Sequence, residues 1–280
     1  MLRSGRGLVS ALIAGLAIQL WLGAGPAALA AGAADRLEPH RAIYGLRLAK
    51  SQPGGAAVTS ARGKLEFEWT DVCDGWSIRQ RTRIIVTHAD GSEIDFGWTL
   101  TAWEAKDGLS YRFFIRRLFG GGGEETMRGE ARLDGPGLGG TASYVEPEEQ
   151  TVTLPKGTVF PSQHNFLVID AAEAGALPLW RTVFDGSGDG GGLYGVNVAL
   201  AAAMPPGAAL SLDAPLLHEA PSWRVVVAYF DPEDESAPPA FEQQLRLFAN
   251  GVVDELVLDY GDFTLDAELV DLEPLPPPDC

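Results

Sequence analysis

Apolar and charged residues alternate with a period of two over most of this chain, and no other feature limits its possible folds so strongly. Between positions 62 and 70, Gly63, Leu65, Phe67 and Trp69 alternate with Arg62, Lys64, Glu66 and Glu68. Residues 76–88 repeat the pattern, with Trp76, Ile78, Ile84 and Val86 set against Ser77, Arg79, Arg81 and Arg83. From His40 to Leu48, Ala42, Tyr44, Leu46 and Leu48 share one face, while Arg41 and Arg47 share the other. One apolar and one charged face define an antiparallel strand buried on a single side. Further strands are predicted at 93–103, 109–117, 125–133, 141–145, 150–154, 179–185, 193–200, 223–230, 241–248, 252–260 and 263–271, about fourteen in all. Asp90-Gly91, Asp107-Gly108, Asn250-Gly251 and the run Gly120 to Gly123 separate several of them, and such pairs are strong hairpin signals. The expected fold is all-β, a large antiparallel meander.

One segment departs from this period. Phe160-Pro161-Ser162 leads into Gln163 to Glu173, and Gly175 follows. Ser162 is the expected N-cap and Gly175 the expected left-handed stop, which predicts one short helix near 162–174. Phe166, Ile169, Ala172 and Leu167 would share its buried face, against the sheet or plugging its open end. Residues 31–39 read as an Ala/Gly-rich lead-in, 199–210 as a strand end and loop, and 231–240 as an acidic surface loop. The tail 273–280 is Pro-rich and extended. No linker interrupts the chain, so 31–280 is expected to form a single domain.

The first thirty residues read differently. Arg3 and Arg6 precede an apolar run from Leu8 to Leu22, and Ala28-Leu29-Ala30 places small residues where a signal peptidase cuts. Residues 1–30 are therefore expected to be a cleavable signal peptide of an exported protein. The whole chain has 38 acidic and 21 basic residues, a net charge of −17. Removing the leader takes away two arginines and no acid, which leaves −19 on 250 residues. That balance excludes a nucleic-acid binder, which needs a basic face, and disfavours an electrostatic hold on anionic lipid. No later segment is apolar enough to span a membrane as a helix.

Only two cysteines are present, Cys73 and Cys280. An exported chain meets an oxidising compartment, and a disulfide between them is the expectation. Closing a loop of about 207 residues is worth roughly 5 kcal/mol in the chain-entropy account, an upper value. The eight steps from Leu272 to Cys280 span roughly 25 Å in polyproline geometry, enough to carry the last thiol across the surface.

A search for catalytic and metal-binding constellations finds little. His40, His88, His164 and His218 are scattered without ligand spacing. No nucleophile elbow and no P-loop is present. Asp185-Gly186-Ser187-Gly188-Asp189-Gly190 matches the opening half of a calcium-binding loop, but Val196 stands where the bidentate acid belongs, so a glycine-rich turn is expected. Six tryptophans, at 69, 76, 98, 103, 180 and 223, fall within or beside strands. They would suit the lining of a ligand cavity or an ordinary core, and the residues alone leave both open. No pair of acids is singled out for glycoside chemistry. The expectation is a protein that is not an enzyme and carries no cofactor or metal.

Several landmarks together resemble a known family. These are His40-Arg41-Ala42-Ile43-Tyr44, Cys73-Asp74-Gly75-Trp76, Leu154-Pro155-Lys156-Gly157-Thr158 running into Phe160-Pro161-Ser162-Gln163-His164, Phe184-Asp185-Gly186-Ser187, and the cysteine after the last strand. Over about residues 38–280 they resemble the envelope integrity protein B (EipB) family of alphaproteobacteria. The resemblance implies a periplasmic protein whose strands form a spiral or open β-barrel, with one disulfide between an early strand region and the C-terminus. It further implies a role in maintaining the cell envelope, no assigned catalytic residues, and an internal cavity suited to a ligand. The partner would be an envelope component, lipid or glycan, or another periplasmic protein. Two rival functions are a lipid or lipoprotein carrier, which needs inward positions that stay apolar, and a hydrolase of cell-wall glycans. Gln80 and Thr82, on the Trp76 face, already interrupt the apolar pattern.

Overall fold

The computed structural model describes residues 33–52, 57–187, 191–232 and 238–280. The leader expected at 1–30 lies outside these, as do part of the acidic 231–240 loop and residues 188–190 of the glycine-rich turn. Fourteen strands run in chain order: β1 (His40–Ser51), β2 (Val58–Asp71), β3 (Gly75–His88), β4 (Glu93–Ala105), β5 (Ser110–Phe119), β6 (Gly123–Leu133), β7 (Gly140–Glu146), β8 (Gln150–Leu154), β9 (Leu179–Phe184), β10 (Leu193–Met204), β11 (Ser222–Phe230), β12 (Phe241–Phe248), β13 (Val253–Asp259) and β14 (Phe263–Pro274). A helix of three turns, Pro161–Glu173, stands between β8 and β9, and single helical turns occur at Ala33–Arg36 and Pro215–His218. We call these α2, α1 and α3, following chain order.

The strands form one antiparallel sheet. Its order is β8-β7-β6-β5-β4-β3-β2-β1-β14-β13-β12-β11-β10-β9. Two meanders, β1 to β8 and β9 to β14, are joined where the first and last strands pair over eleven residue pairs. The free edges are therefore β8 and β9, neighbours in the chain at its middle. An open edge at the last strand, expected of a simple spiral, does not occur, because β14 is held by both β1 and β13. The β9 edge is also blunted, as exposed edges in stable proteins usually are. Val159, just after β8, bridges Val183 in parallel: the Val159 N–H donates to the Thr182 carbonyl (2.9 Å), and the Phe184 N–H donates to the Val159 carbonyl (3.0 Å). The Arg181 guanidinium donates to the Trp180 carbonyl (2.7 Å).

Register fixes which side chains face inward, since successive residues alternate sides. Two cores result. One packs Trp69, Trp76, Tyr111, Phe113 and Tyr144 around α2 and against Phe184, Val196 and Trp223. The other lies under β1, β2, β13 and β14, with Tyr44, Leu65, Ile84, Leu258 and Leu265. Phe67 and Ala220 touch both. In a meander alternate turns lie at opposite ends, so the 72–74, 106–109 and 134–139 turns share one end with α2. The 89–92, 120–122 and 260–262 turns share the other.

The helix begins two residues earlier than its sequence suggests. Phe160 occupies the N-cap with Pro161 at the first helical position, and no side chain of the cap residue bonds the helix. Proline there fits, since its missing N–H would have had no partner. Ser162 is thus inside the helix rather than its cap. The capping group comes from across the sheet. Glu104, on β4 and only 1% exposed, accepts the N–H groups of Ser162 (2.7 Å) and Gln163 (2.8 Å) on its two carboxylate oxygens. Phe166, Ile169 and Ala172 are buried as expected, but Val168 is buried where Leu167 is only half-buried. A helix enclosed by sheet and loop has more than one buried side, which a single apolar stripe does not anticipate. Gly175 ends it with φ of +64°.

The Glu104 cap has a pH signature. Burial raises its carboxyl from an ordinary value near 4.5 to about 7, and the two backbone N–H bonds hold it below a still higher value. The native state therefore binds this proton more tightly than the unfolded chain. Its contribution to stability is full below about pH 4.5 and is lost as pH rises through about 7. We expect Glu104→Gln to flatten that part of the stability profile by on the order of 2 kcal/mol. Urea midpoints at pH 5 and pH 8 check this: the wild type should lose more stability between them than the variant, and parallel losses would refute the linkage.

Candidate functional site

Reading the inward face of β2 to β7 row by row shows where the interior is filled and where it is not. Nearest α2, Trp76, Glu104, Tyr111, Ala131 and Ala142 stand side by side and are all buried. In the next row Trp69, Ile78, Ala102, Phe113 and Tyr144 are buried too, with half-buried Gly129 between the last two. Gly129 is required there, because a Cβ would lie 2.8 Å from the Phe113 ring. Then the cover thins. Phe67, Gln80 and Leu100 are half-buried beside buried Ile115 and Met127, and one row further Trp98, Arg117 and Glu125 are half-buried beside buried Leu65 and Thr82. At the end, Ile94 and Phe119 face inward yet stay 40% and 49% exposed.

A cleft of about 310 Å³ opens there, lined by Ile94, Phe96, Gly97, Trp98, Arg117, Leu118, Phe119 and Gly120. Its volume is at the small end of ligand pockets. Gly120 lets the β5–β6 turn close on β4, since a Cβ would meet the Ile94 side chain. Phe96 and Trp98 also pack against the second core, which fixes their rings. Arg117 sits opposite Trp98 on β4 and Glu125 on β6, with 3.5 Å to the Glu125 carboxylate. It is the one charged side chain of the lining.

The Phe184-Asp185-Gly186-Ser187 turn is close enough to Arg117 for Asp185 to feel its charge. Asp185 accepts the Ser187 N–H (2.7 Å) and hydroxyl (2.9 Å), and its own carbonyl accepts the Tyr111 hydroxyl (3.2 Å). Burial raises its carboxyl above the ordinary range, opposed by the Ser187 bonds and the Arg117 charge. Gly186 lies against the Phe113 ring, and φ of +76° requires glycine. Both oxygens of Asp185 thus serve the turn itself. Among the described residues no group of three or more His, Cys, Asp or Glu is placed to hold a metal.

The six tryptophans divide by position. Trp69, Trp76 and Trp223 are buried core, with Trp69 and Trp76 stacked at 4.3 Å between ring centroids. Only Trp98 lines the cleft. Trp103 lies on the outer face under the Arg112 guanidinium (4.3 Å), and Trp180 is exposed beside Phe230. Arg117, Ile94, Phe96 and Phe119 were not singled out from sequence. The phase of alternation along β4 and β5 was their signal, because positions in step with Ala102 and Phe113 must face inward.

Cys73 and Cys280 are remote from the cleft, at the end occupied by α2. They are disulfide-bonded with Cα atoms 6.0 Å apart, inside the usual range. Cys73 sits in the β2–β3 turn at φ +69°, its N–H held by the Asp71 carboxylate (2.9 Å).

Among the described residues no helix is long and apolar enough to cross a membrane. The outward positions of neighbouring strands carry Lys64, Glu66, Arg79, Arg81 and Arg83, which is incompatible with a lipid-facing apolar band on that wall.

Fold and site together define a β-barrel-like protein, a coiled antiparallel sheet filled by a helix at one end and uncovered along β4 and β5 at the other. The chain belongs to the EipB-like family, whose profile matches residues 31–276. It is 31% identical over 273 residues to the cell envelope integrity protein EipB of Brucella abortus (strain 2308), covering 95% of this chain and 94% of that protein. It is also similar to a solved crystal structure, a beta-barrel-like protein of a domain of unknown function from Brucella abortus. That match has a TM-score of 0.77 at 27% identity and covers 86% of this chain and 99% of the other.

Proposed function

We propose that this protein is a non-enzymatic, periplasmic factor in maintaining the cell envelope, and that it acts by binding an envelope component at the concave face of its sheet. The observation that carries the reading is the uncovered inward row, where Ile94, Phe96, Trp98 and Phe119 face the interior without being filled. Large apolar side chains left half-exposed on a concave surface mark a place that something else covers. The name of the Brucella abortus relative supports the envelope role.

The non-enzymatic part rests on how the inward acids are engaged. Glu104 caps α2, Asp185 holds its own turn, and Glu125 faces Arg117. A glycan hydrolase needs two acids converging on an open cleft, and none of these three lines this one. A carrier that sequesters whole lipids needs a continuous apolar interior. Gln80, Thr82, Arg117 and Glu125 interrupt it here, which favours a local site over a lipid-filled lumen.

Native mass spectrometry of the protein isolated from its own envelope tests the reading. We expect an adduct on the wild type that is absent from Phe119→Asp, a substitution at a half-exposed position that the fold tolerates. Bare protein in both samples would count against binding.

A further inference from the structure

The cleft is not uniformly apolar: Arg117 is the one charged residue of its lining. Its ion pair with Glu125, at 3.5 Å, joins it to an acid that is not part of that lining. Asp185 feels the charge of the same guanidinium. Around Arg117 the walls are hydrocarbon and aromatic: Ile94, Phe96 and Trp98 from β4, Phe119 from β5. A small apolar cleft with one cation in its lining is complementary to a molecule with an apolar body and an anionic head.

We propose that the cleft between β4 and β5 is a binding site for a single-chain anionic amphiphile. The chain lies on Ile94, Phe96, Trp98 and Phe119, and the carboxylate or phosphate head accepts hydrogen bonds from Arg117. This names the ligand class within the concave-face reading above and rests on it. The negative charge of the whole protein does not oppose it, because the head meets Arg117 at short range while distant surface acids are screened. The small volume selects one chain over two.

Three ten-carbon probes of different head charge, decanoate, decanol and decyltrimethylammonium, separate the terms when titrated as monomers into the full mature protein by calorimetry. Decyl phosphate, added as a fourth, tells a phosphate head from a carboxylate. Decanoate should bind saturably and about tenfold more tightly than decanol, the size of a charge-assisted hydrogen bond, and the ammonium should bind most weakly. Arg117→Gln should bring decanoate to the decanol affinity and leave decanol unchanged, whereas Phe119→Ala should weaken all the probes together. Near-ultraviolet circular dichroism of both variants should match the wild type. Equal binding of decanoate and decanol by the wild type, or a preference that survives Arg117→Gln, would overturn the anionic assignment and leave concave-face binding standing. Absence of saturable binding by every probe, from protein that still carries an adduct when isolated from its envelope, would overturn the amphiphile class alone.

Discussion

Replacing Asp254 with alanine is expected to destabilise the protein by about 3–5 kcal/mol, the usual cost of leaving a buried charge without its partner. Arg246 and Asp254 are both 0% exposed. They stand on β12 and β13 at an irregularity in the pairing, and the segment after β10 bonds to both. Arg246 Nε donates to Asp254 Oδ1 (2.6 Å), and Arg246 Nη1 donates to the Ala208 carbonyl (2.8 Å). The Ser211 hydroxyl donates to Asp254 Oδ2 (3.0 Å). The pair thus ties the β10–β11 connection to the sheet. A double variant, Arg246→Met with Asp254→Leu, should recover most of the loss, since it removes both desolvated charges at once. Urea unfolding of the single and double variants measures the difference. A single-variant cost below about 1 kcal/mol would show that Glu255, whose carboxylate lies 3.5 Å from the same guanidinium, is partner enough for it.

Breaking the disulfide should cost about 2–4 kcal/mol, less than the full chain-entropy value because residual structure in the unfolded chain lowers the entropy that the crosslink removes. Its place in the topology defines its task. The β1–β14 pairing is the one strand contact made by chain neighbours at opposite ends of the sequence, and the two meanders would separate along it. The bond runs from the β2–β3 turn to the tail beyond β14 and so spans that seam. The tail is also docked by the Leu275 N–H on the Pro39 carbonyl (2.8 Å). Cys280→Ser and reductant should lower the denaturation midpoint to the same extent, and reductant should not affect Cys280→Ser further. Cys73→Gly should lose about 1 kcal/mol less than Cys73→Ser, because glycine adopts the left-handed φ of that turn without strain. Equal losses would mean that the turn relaxes once the bond is gone.

Much of this architecture was legible in the sequence because it rests on local chemistry. Period-two alternation and the Asp-Gly, Asn-Gly and Gly-run turns locate strands within a few residues, since each strand buries one face and each hairpin needs its turn. What the sequence could not show depends on distant pairs. The capping of α2 by Glu104 joins residues 58 positions apart, and a local reading names Ser162 instead. The closure of the sheet through β1 and β14 is a choice of pairing, and alternation is blind to it. The cleft was hidden for a similar reason. Phe96 and Phe119 follow the same alternation as buried Phe113, and only the curl of the sheet leaves them uncovered. The tryptophans show the limit of composition, because three fill the core, one lines the cleft and two lie outside.

If the protein acts on the envelope through the uncovered face along β4 and β5, substitutions there should abolish that action. The direct measurement is complementation in a strain of its own host lacking the gene, scored as survival under detergent stress. Wild-type protein should restore survival. Phe96→Asp and Phe119→Asp, accumulated to the same level and folded, should not, whereas the outer-face variant Phe114→Asp should. Full rescue by both cleft variants would contradict the account.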